Sequence, residues 1–328
     1  MVKKKLSAVN AGAAFLGRNV GIAGSESAWA QSSEQSEVIV EGQKSGKPHA
    51  GKVFAAVHAR AYDVPYYAAG TCAKLIEEGY TGYLVRTTND EAYGDGHFIE
   101  NIHTNEKEHL KMAEIIGFTD VLDLSYRSHR MDETSPVEIR NRLIFIFRSL
   151  KVDTVLTFSP WGYGKSNPDH WATGRLTEGA CMMSGTPGDS PEHMEFDAIT
   201  PHSVKEIYYF ADRENELYNR VVDIGSTVEK KIDALVAIKS QGGGGDHGSQ
   251  LRKHLSKEGK HLPILGGNDE SANREYVRNF IRIDKNKSLG EQYNLKFAEP
   301  FYYIDIKNLE ETSGIEEYIK KNSVKNNQ

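Results

Sequence analysis

The chain has 328 residues, 38% of them hydrophobic, and a formal net charge of -6. That length suits one large α/β domain or two small ones, while a mean hydropathy of -0.55 argues against a multi-spanning membrane protein. An acidic balance, with a pI near 6.1 and no basic stripe, argues against a protein that works by neutralising nucleic-acid phosphates. Cys72 and Cys181, far apart in sequence, are expected as buried thiols rather than as a disulfide.

At the N-terminus, Lys3, Lys4 and Lys5 precede the mildly apolar run "LSAVNAGAAFLG", and "AWAQ" supplies the small-x-small pattern of a signal-peptidase site. Residues 1–30 are therefore expected to be an export signal, placing the mature chain in the periplasm or outside the cell. A cytosolic leader is the alternative, because Arg18 and Asn19 interrupt the apolar run. Residues 31–50 are polar and read as a linker, 51–305 as the folded domain, and 306–328 as a polar C-terminal tail.

From Lys52 onward, apolar strand-like runs alternate with helix-period segments, the pattern of a parallel sheet with crossover helices. "KVFAAVHA" predicts a buried strand, followed by the helix "AAGTCAKLIEEG". "TGYLVRTTND" is a second strand, "NEKEHLKMAEIIG" a helix and "VLDLSY" a third strand. "SPVEIRNRLIFIFRSL" opens with a Ser135 cap, Pro136 at the first helical position and Glu138 to complete a capping box. "DTVLTFSP" is a fourth strand; after the loop "WGYGKS", Asn167 and Pro168 start a helix. "VKEIYYFA" is a fifth strand and "VVDI" a further one, before the helix "STVEKKIDALVAIKS". The glycine-rich "QGGGGDHGS" leads into another helix, and "REYVRNFIRI" and "AEPFYYI" are late elements. The expected fold is Rossmann-like, three-layered α/β with a mostly parallel sheet.

In such a sheet, ligands sit at the carboxyl ends of the strands. The turn after the first strand lacks G-x-G-x-x-G, which excludes a dinucleotide site. Asp63, after that strand, and His170, in the first turn of a later helix, can meet in one cleft. A carboxylate oxygen and an imidazole nitrogen suit zinc, which needs three protein ligands and an open position for water. An ordinary helix cap at Asp63 and an ordinary helix start at "NPDH" remain open readings of the same residues.

The order of acidic turn, "AAGT" helix, "VRTTNDE", "NEKEHLKMAEIIGF", "NPDHWATG" and "KKIDALVAIKSQ" resembles the PIG-L (LmbE-like) family of metal-dependent N-deacetylases. The resemblance spans nearly the whole chain after Lys52. It implies zinc as cofactor and removal of an N-acetyl group from an N-acetylglucosamine-type sugar or glycoconjugate by metal-activated water. Counting back from Gly70 and Thr71, Arg60 falls at the first ligand position, Tyr62 at the general base, Asp63 at the second ligand and His170 at the third. Asp169 lies beside that ligand. Asn167 stands where many members have a His that polarises the acyl oxygen.

The two replacements disfavour that chemistry. Arg60 has no lone pair to offer and carries a permanent cation; Tyr62, with an ordinary pKa near ~10, is a poor base. Arg60 can instead pair with Asp63 where the metal would stand. Two functions follow: a hydrolase of reduced turnover, or an inactive relative that binds glycans. The candidate ligand contacts are Arg86 and Asn89 after the second strand, Trp161 and Tyr163 after the fourth, and His247 in the glycine-rich loop, which is either a lid or a plain flexible loop. His58 reads as a packed strand histidine, and His97, His103 and His109 as surface residues.

Overall fold

A computed structural model describes residues 38–161, 167–196, 199–212, 216–306 and 321–323. The expected export signal, residues 31–37 of the expected linker, Tyr163 and most of the expected tail lie outside the described residues. Among the described residues, no helix is long and apolar enough to cross a membrane.

The central sheet has eight strands: β1 (Ile39–Glu41), β2 (Val53–His58), β3 (Thr81–Thr88), β4 (Asp120–Tyr126), β5 (Thr154–Phe158), β6 (Glu206–Phe210), β7 (Arg220–Asp223) and β8 (Ala298–Asp305). Their spatial order is β1-β7-β8-β6-β5-β2-β3-β4. β8 runs antiparallel to both β6 and β7, and the remaining pairs are parallel. The α/β class and the mostly parallel sheet are as the sequence predicts. β1 was not expected: it lies in the stretch read as linker, yet pairs through Ile39–Glu41 with Arg220–Val222. Three residues among polar neighbours carry no period, so its partner strand alone makes it a strand.

Helices cover both faces, because successive residues of a strand point to opposite sides. Along β2, Phe54 and Ala56 join one buried cluster and Ala55 and Val57 the other. The first cluster includes residues of α1 (Asp63–Tyr67), α2 (Ala69–Glu77), α3 (Phe98–Ile116) and α6 (Val228–Ala237), together with Val277 from α8 (Asp269–Phe280). The second is covered by α4 (Pro136–Leu150) and α5 (Pro168–Met183). Both expected helix starts are capped: Ser135 Oγ accepts from Glu138 N, and Asn167 Oδ1 accepts from Asp169 N at 2.9 Å. Cys72 and Cys181 are buried free thiols.

The "AAGT" turn owes its place to a buried ion pair. Glu299, from β8, accepts hydrogen bonds from Gly70 N, Thr71 N and the Thr71 hydroxyl at 3.2, 2.8 and 2.6 Å. Its carboxylate also meets Lys231 Nζ of α6 at 2.6 Å, with both side chains fully buried, and Lys231 donates to Tyr66 O. A carboxylate at the start of α2 satisfies N–H groups that have no partner within the helix. It thereby ties the antiparallel strand, α6 and the turn after β2 together.

Removing one member of a buried pair leaves an uncompensated charge, which costs about 3–5 kcal/mol. Glu299→Ala is therefore expected to lower stability by about that much in urea denaturation. A Lys231→Met/Glu299→Leu double variant removes both charges but still strips Gly70 N, Thr71 N and the Thr71 hydroxyl of their acceptor, so it should recover only part of the loss.

Candidate functional site

The chain leaves β2 toward β3 on one side and β5 toward β6 on the other, so β2 and β5 flank the switch point of the sheet. A cleft outside their carboxyl ends is the expected ligand site of an open α/β sheet. Arg60 and Asp63 follow β2, and His170 enters from the first turn of α5. Gly174 makes that approach feasible: a Cβ there would lie 2.6 Å from the carbonyl oxygen of Phe158 at the end of β5. The His170 ring stacks on Phe158, with centroids 4.4 Å apart.

Asp63 is buried, and its Oδ2 accepts from the backbone N–H groups of Ala59 and Arg60 at 3.1 and 2.7 Å. Its Oδ1 lies 3.3 Å from His170 Nε2 and 3.4 Å from an Arg60 Nη. Arg60 Nε donates to His170 Nε2 at 3.0 Å. Because a guanidinium only donates, that His170 nitrogen must accept, and its lone pair is occupied. The Arg60 cation also lies over the Tyr93 ring, 5.0 Å from its centroid. Burial alone would raise the Asp63 carboxyl, but with His170 accepting from Arg60 it is the Arg60 guanidinium that outweighs burial and holds the group below the usual carboxylate range. For Arg60, burial works against the charged form, yet Asp63 and Tyr93 drive its pKa further up.

Tyr62 points away from this cluster. Its ring lies tilted against Tyr66, with centroids 5.6 Å apart, and packs against Gly242, where any Cβ would collide with it. Desolvation pushes its phenol up to about 12, despite a hydrogen bond to the Gly243 backbone. At neutral pH it carries its proton and supplies no base.

These residues do not fit the zinc centre that the family resemblance implies. Zinc needs lone pairs from three protein groups; here a cation stands at the first ligand position and occupies the donors of the other two. Among the described residues, no group of three or more His, Cys, Asp or Glu side chains is arranged to hold a metal.

Several candidate residues have other work in the fold. Asp169 is buried and accepts from the backbone of His129 and Met131 at 2.7 and 3.4 Å, so it anchors the loop after β4 rather than facing Asp63. The Asn167 amide caps α5 and donates to the Tyr93 hydroxyl at 3.1 Å. Arg86, expected to contact ligand, is buried between Asp90 and Asp123. Asn89 Oδ1 accepts from Glu91 N at 3.2 Å within a turn. The glycine-rich segment is packed rather than loose: His247 is the first residue of α7 (His247–Lys257), bonds Gly244 O at 2.6 Å and stacks on Tyr276. His109, expected on the surface, is buried, with its Nε2 3.2 Å from His58 Nε2. His58 in turn bonds the Arg60 carbonyl at 2.7 Å, and burial pushes its pKa down to about 4.

Two groups at the site went unnoticed in the sequence. Tyr93 reaches Arg60 from the loop after β3, and its hydroxyl meets His129 Nε2 at 2.8 Å. His129 is held in the left-handed region, at φ 61°, which is unusual for a residue other than glycine. Neither belongs to a motif, and no periodicity marks them. Nearby, Trp161 joins Tyr209, Phe210 and Tyr302 around a cavity of about 140 Å³ at the ends of β5 and β6. Its ring lies 5.8 Å from Tyr209 and 5.3 Å from Tyr302.

The low pKa of Asp63 sets a pH signature. A depressed carboxyl contributes stability fully above its unfolded value, near ~3.9, and loses it as pH falls toward the folded value. The stability gap between the wild type and Asp63→Asn is thus expected to be constant from pH 7 to about 5 and to narrow below ~4. Thermal unfolding across that range measures it.

Residues 56–181 match the family described as PIG-L: GlcNAc-PI de-N-acetylase. Among solved structures, N,N'-diacetylchitobiose deacetylase from Pyrococcus horikoshii is similar at 21% identity, with a TM-score of 0.60 over 80% of this chain and 87% of that one. A conserved protein from Thermus thermophilus is similar at 18% identity, with a TM-score of 0.55 over 76% and 93%. The 4-carboxy-2-hydroxymuconate hydratase of Pseudomonas putida is also similar at 18% identity, with a TM-score of 0.54 over 77% and 96%. At these identities the likeness establishes the shared fold. The chain thus carries a PIG-L family domain at residues 56–181.

Proposed function

We propose that this protein binds a sugar-type ligand on a deacetylase scaffold, without metal-dependent hydrolysis. The carrying observation is the Arg60 guanidinium on both Asp63 and His170. The ligand class follows from the matched family, whose description is a GlcNAc-PI de-N-acetylase, and from the similar fold of a diacetylchitobiose deacetylase. A hydratase shares that fold too, so chemistry must be read from side chains rather than from architecture. The candidate binding surface is the cavity beside the exposed Trp161 and the half-buried Tyr302, whose rings suit the apolar faces of a pyranose. The ligand is a small molecule or a glycan.

A second reading keeps hydrolysis of an N-acetyl group at low turnover. It is favoured by Asp63 and His170 remaining 3.3 Å apart, so that two of the three family donors stay together.

The two readings separate in one experiment. N-acetylglucosamine and its β-1,4-linked dimer are titrated by calorimetry, and acetate release is followed in parallel with and without a chelator. Saturable binding without acetate release is expected, weakened about 2- to 13-fold by Trp161→Ala, as loss of one aromatic contact of ~0.5–1.5 kcal/mol would give. Chelator-sensitive acetate release would favour the second reading instead.

A further inference from the structure

We infer that Arg60 is a protein-supplied substitute for a divalent cation, and that its guanidinium keeps two metal-ligand donors, Asp63 and His170, assembled but closed to metal. Three observations converge on this reading. First, Asp63 is almost fully buried, and a buried carboxylate requires a cation or several hydrogen bonds. Two backbone N–H groups serve Oδ2, while among the described residues Oδ1 faces the Arg60 Nη and the His170 ring.

Second, the guanidinium binds two groups at once. Its Nε takes the His170 lone pair at 3.0 Å and an Nη meets Asp63 Oδ1 at 3.4 Å. A metal would draw on the same two atoms, one imidazole nitrogen and one carboxylate oxygen. Third, the supports behind these donors remain in place. His170 is stacked on Phe158 and carried by a capped helix. The backbone at position 60 is fixed from below by the bond between His58 and the Arg60 carbonyl, and His58 is itself met by His109. The backbone that carries position 60 is thus held at its carbonyl by His58 and at its N–H by Asp63.

The inference holds whichever ligand occupies the cleft. If it is right, one substitution should exchange the internal cation for an external one: Arg60→His would place a third donor beside Asp63 and His170. Arg60→Ala would leave the Asp63 charge without its cation, and Arg60→Lys would keep a charge but not the fork that reaches both partners.

The test uses the full chain, stripped with chelator, and reads zinc binding by calorimetry and melting temperature with and without zinc. The wild type is expected to bind no zinc that depends on His170. Arg60→His should bind one equivalent with a dissociation constant below about 1 μM, as three-ligand zinc sites do. That equivalent should disappear in Arg60→His/His170→Ala. Without metal, Arg60→Ala and Arg60→His should melt roughly 3–8 °C lower than the wild type. Zinc should restore Arg60→His only, and Arg60→Lys should fall between Arg60→Ala and the wild type. Far-UV circular dichroism confirms that each variant is folded before titration. Wild-type zinc binding that His170→Ala abolishes would overturn the inference. So would a folded Arg60→His that binds no more zinc than the wild type, or an Arg60→Ala as stable as the wild type. Should Arg60→His fail to fold without metal, refolding it in the presence of zinc decides: zinc-dependent recovery supports the inference, and none overturns it.

Discussion

A carboxylate cannot be buried as an ion without something positive beside it, and the cleft is organised around that constraint at Asp63. The desolvation of Asp63 is offset by the Arg60 guanidinium and two backbone N–H groups. Meeting this need from within the chain changes what the site can do. A guanidinium has no exchangeable ligand position and cannot bind water as a nucleophile, whereas a zinc ion keeps one position open for that purpose. The electrostatic demand of the pocket is met by a group that offers water no coordination position.

Around that cluster the fold repeats one device, a buried carboxylate that closes several segments at once. Asp90 accepts from Ala61 N, Arg86 and Gln241, joining the site turn, β3 and the glycine-rich segment. Asp169 holds the loop carrying His129, and Glu299 holds the start of α2. Each is hydrogen-bonded by several donors, as buried polar groups must be. Asp169 is thus engaged with the loop after β4, and Arg86 with Asp90 and Asp123.

Much of the fold was legible because strands buried on both faces, such as "FAAV" and "TVLTF", are continuous apolar runs between capped helices. The site was legible in part. Asp63 and His170, distant in sequence, come together because both follow adjacent parallel strands at the switch point, and that rule needs only strand order. Tyr93, His129 and β1 were not legible, since they are defined by partners rather than by local pattern. His109 was misread for a related reason: a histidine on a long helix looks solvated until the helix face against β2 is known.

The amino-acid order alone determined that the turn after β2 holds an arginine and a tyrosine, and hence that no lone pair at position 60 and no carboxylate base at position 62 exist. Residue chemistry is local, and no folding can alter it. Whether that arginine would turn to solvent or inward was not determined locally. Tertiary structure decided it by bringing β2 and β5 side by side, burying Asp63 and presenting His170 at 3.0 Å from Arg60 Nε. It likewise turned Tyr62 toward Gly242, where only a residue without a Cβ leaves room for the ring. Side-chain direction depends on what the rest of the chain packs nearby, and in this protein the nearest unmet charge drew the arginine in.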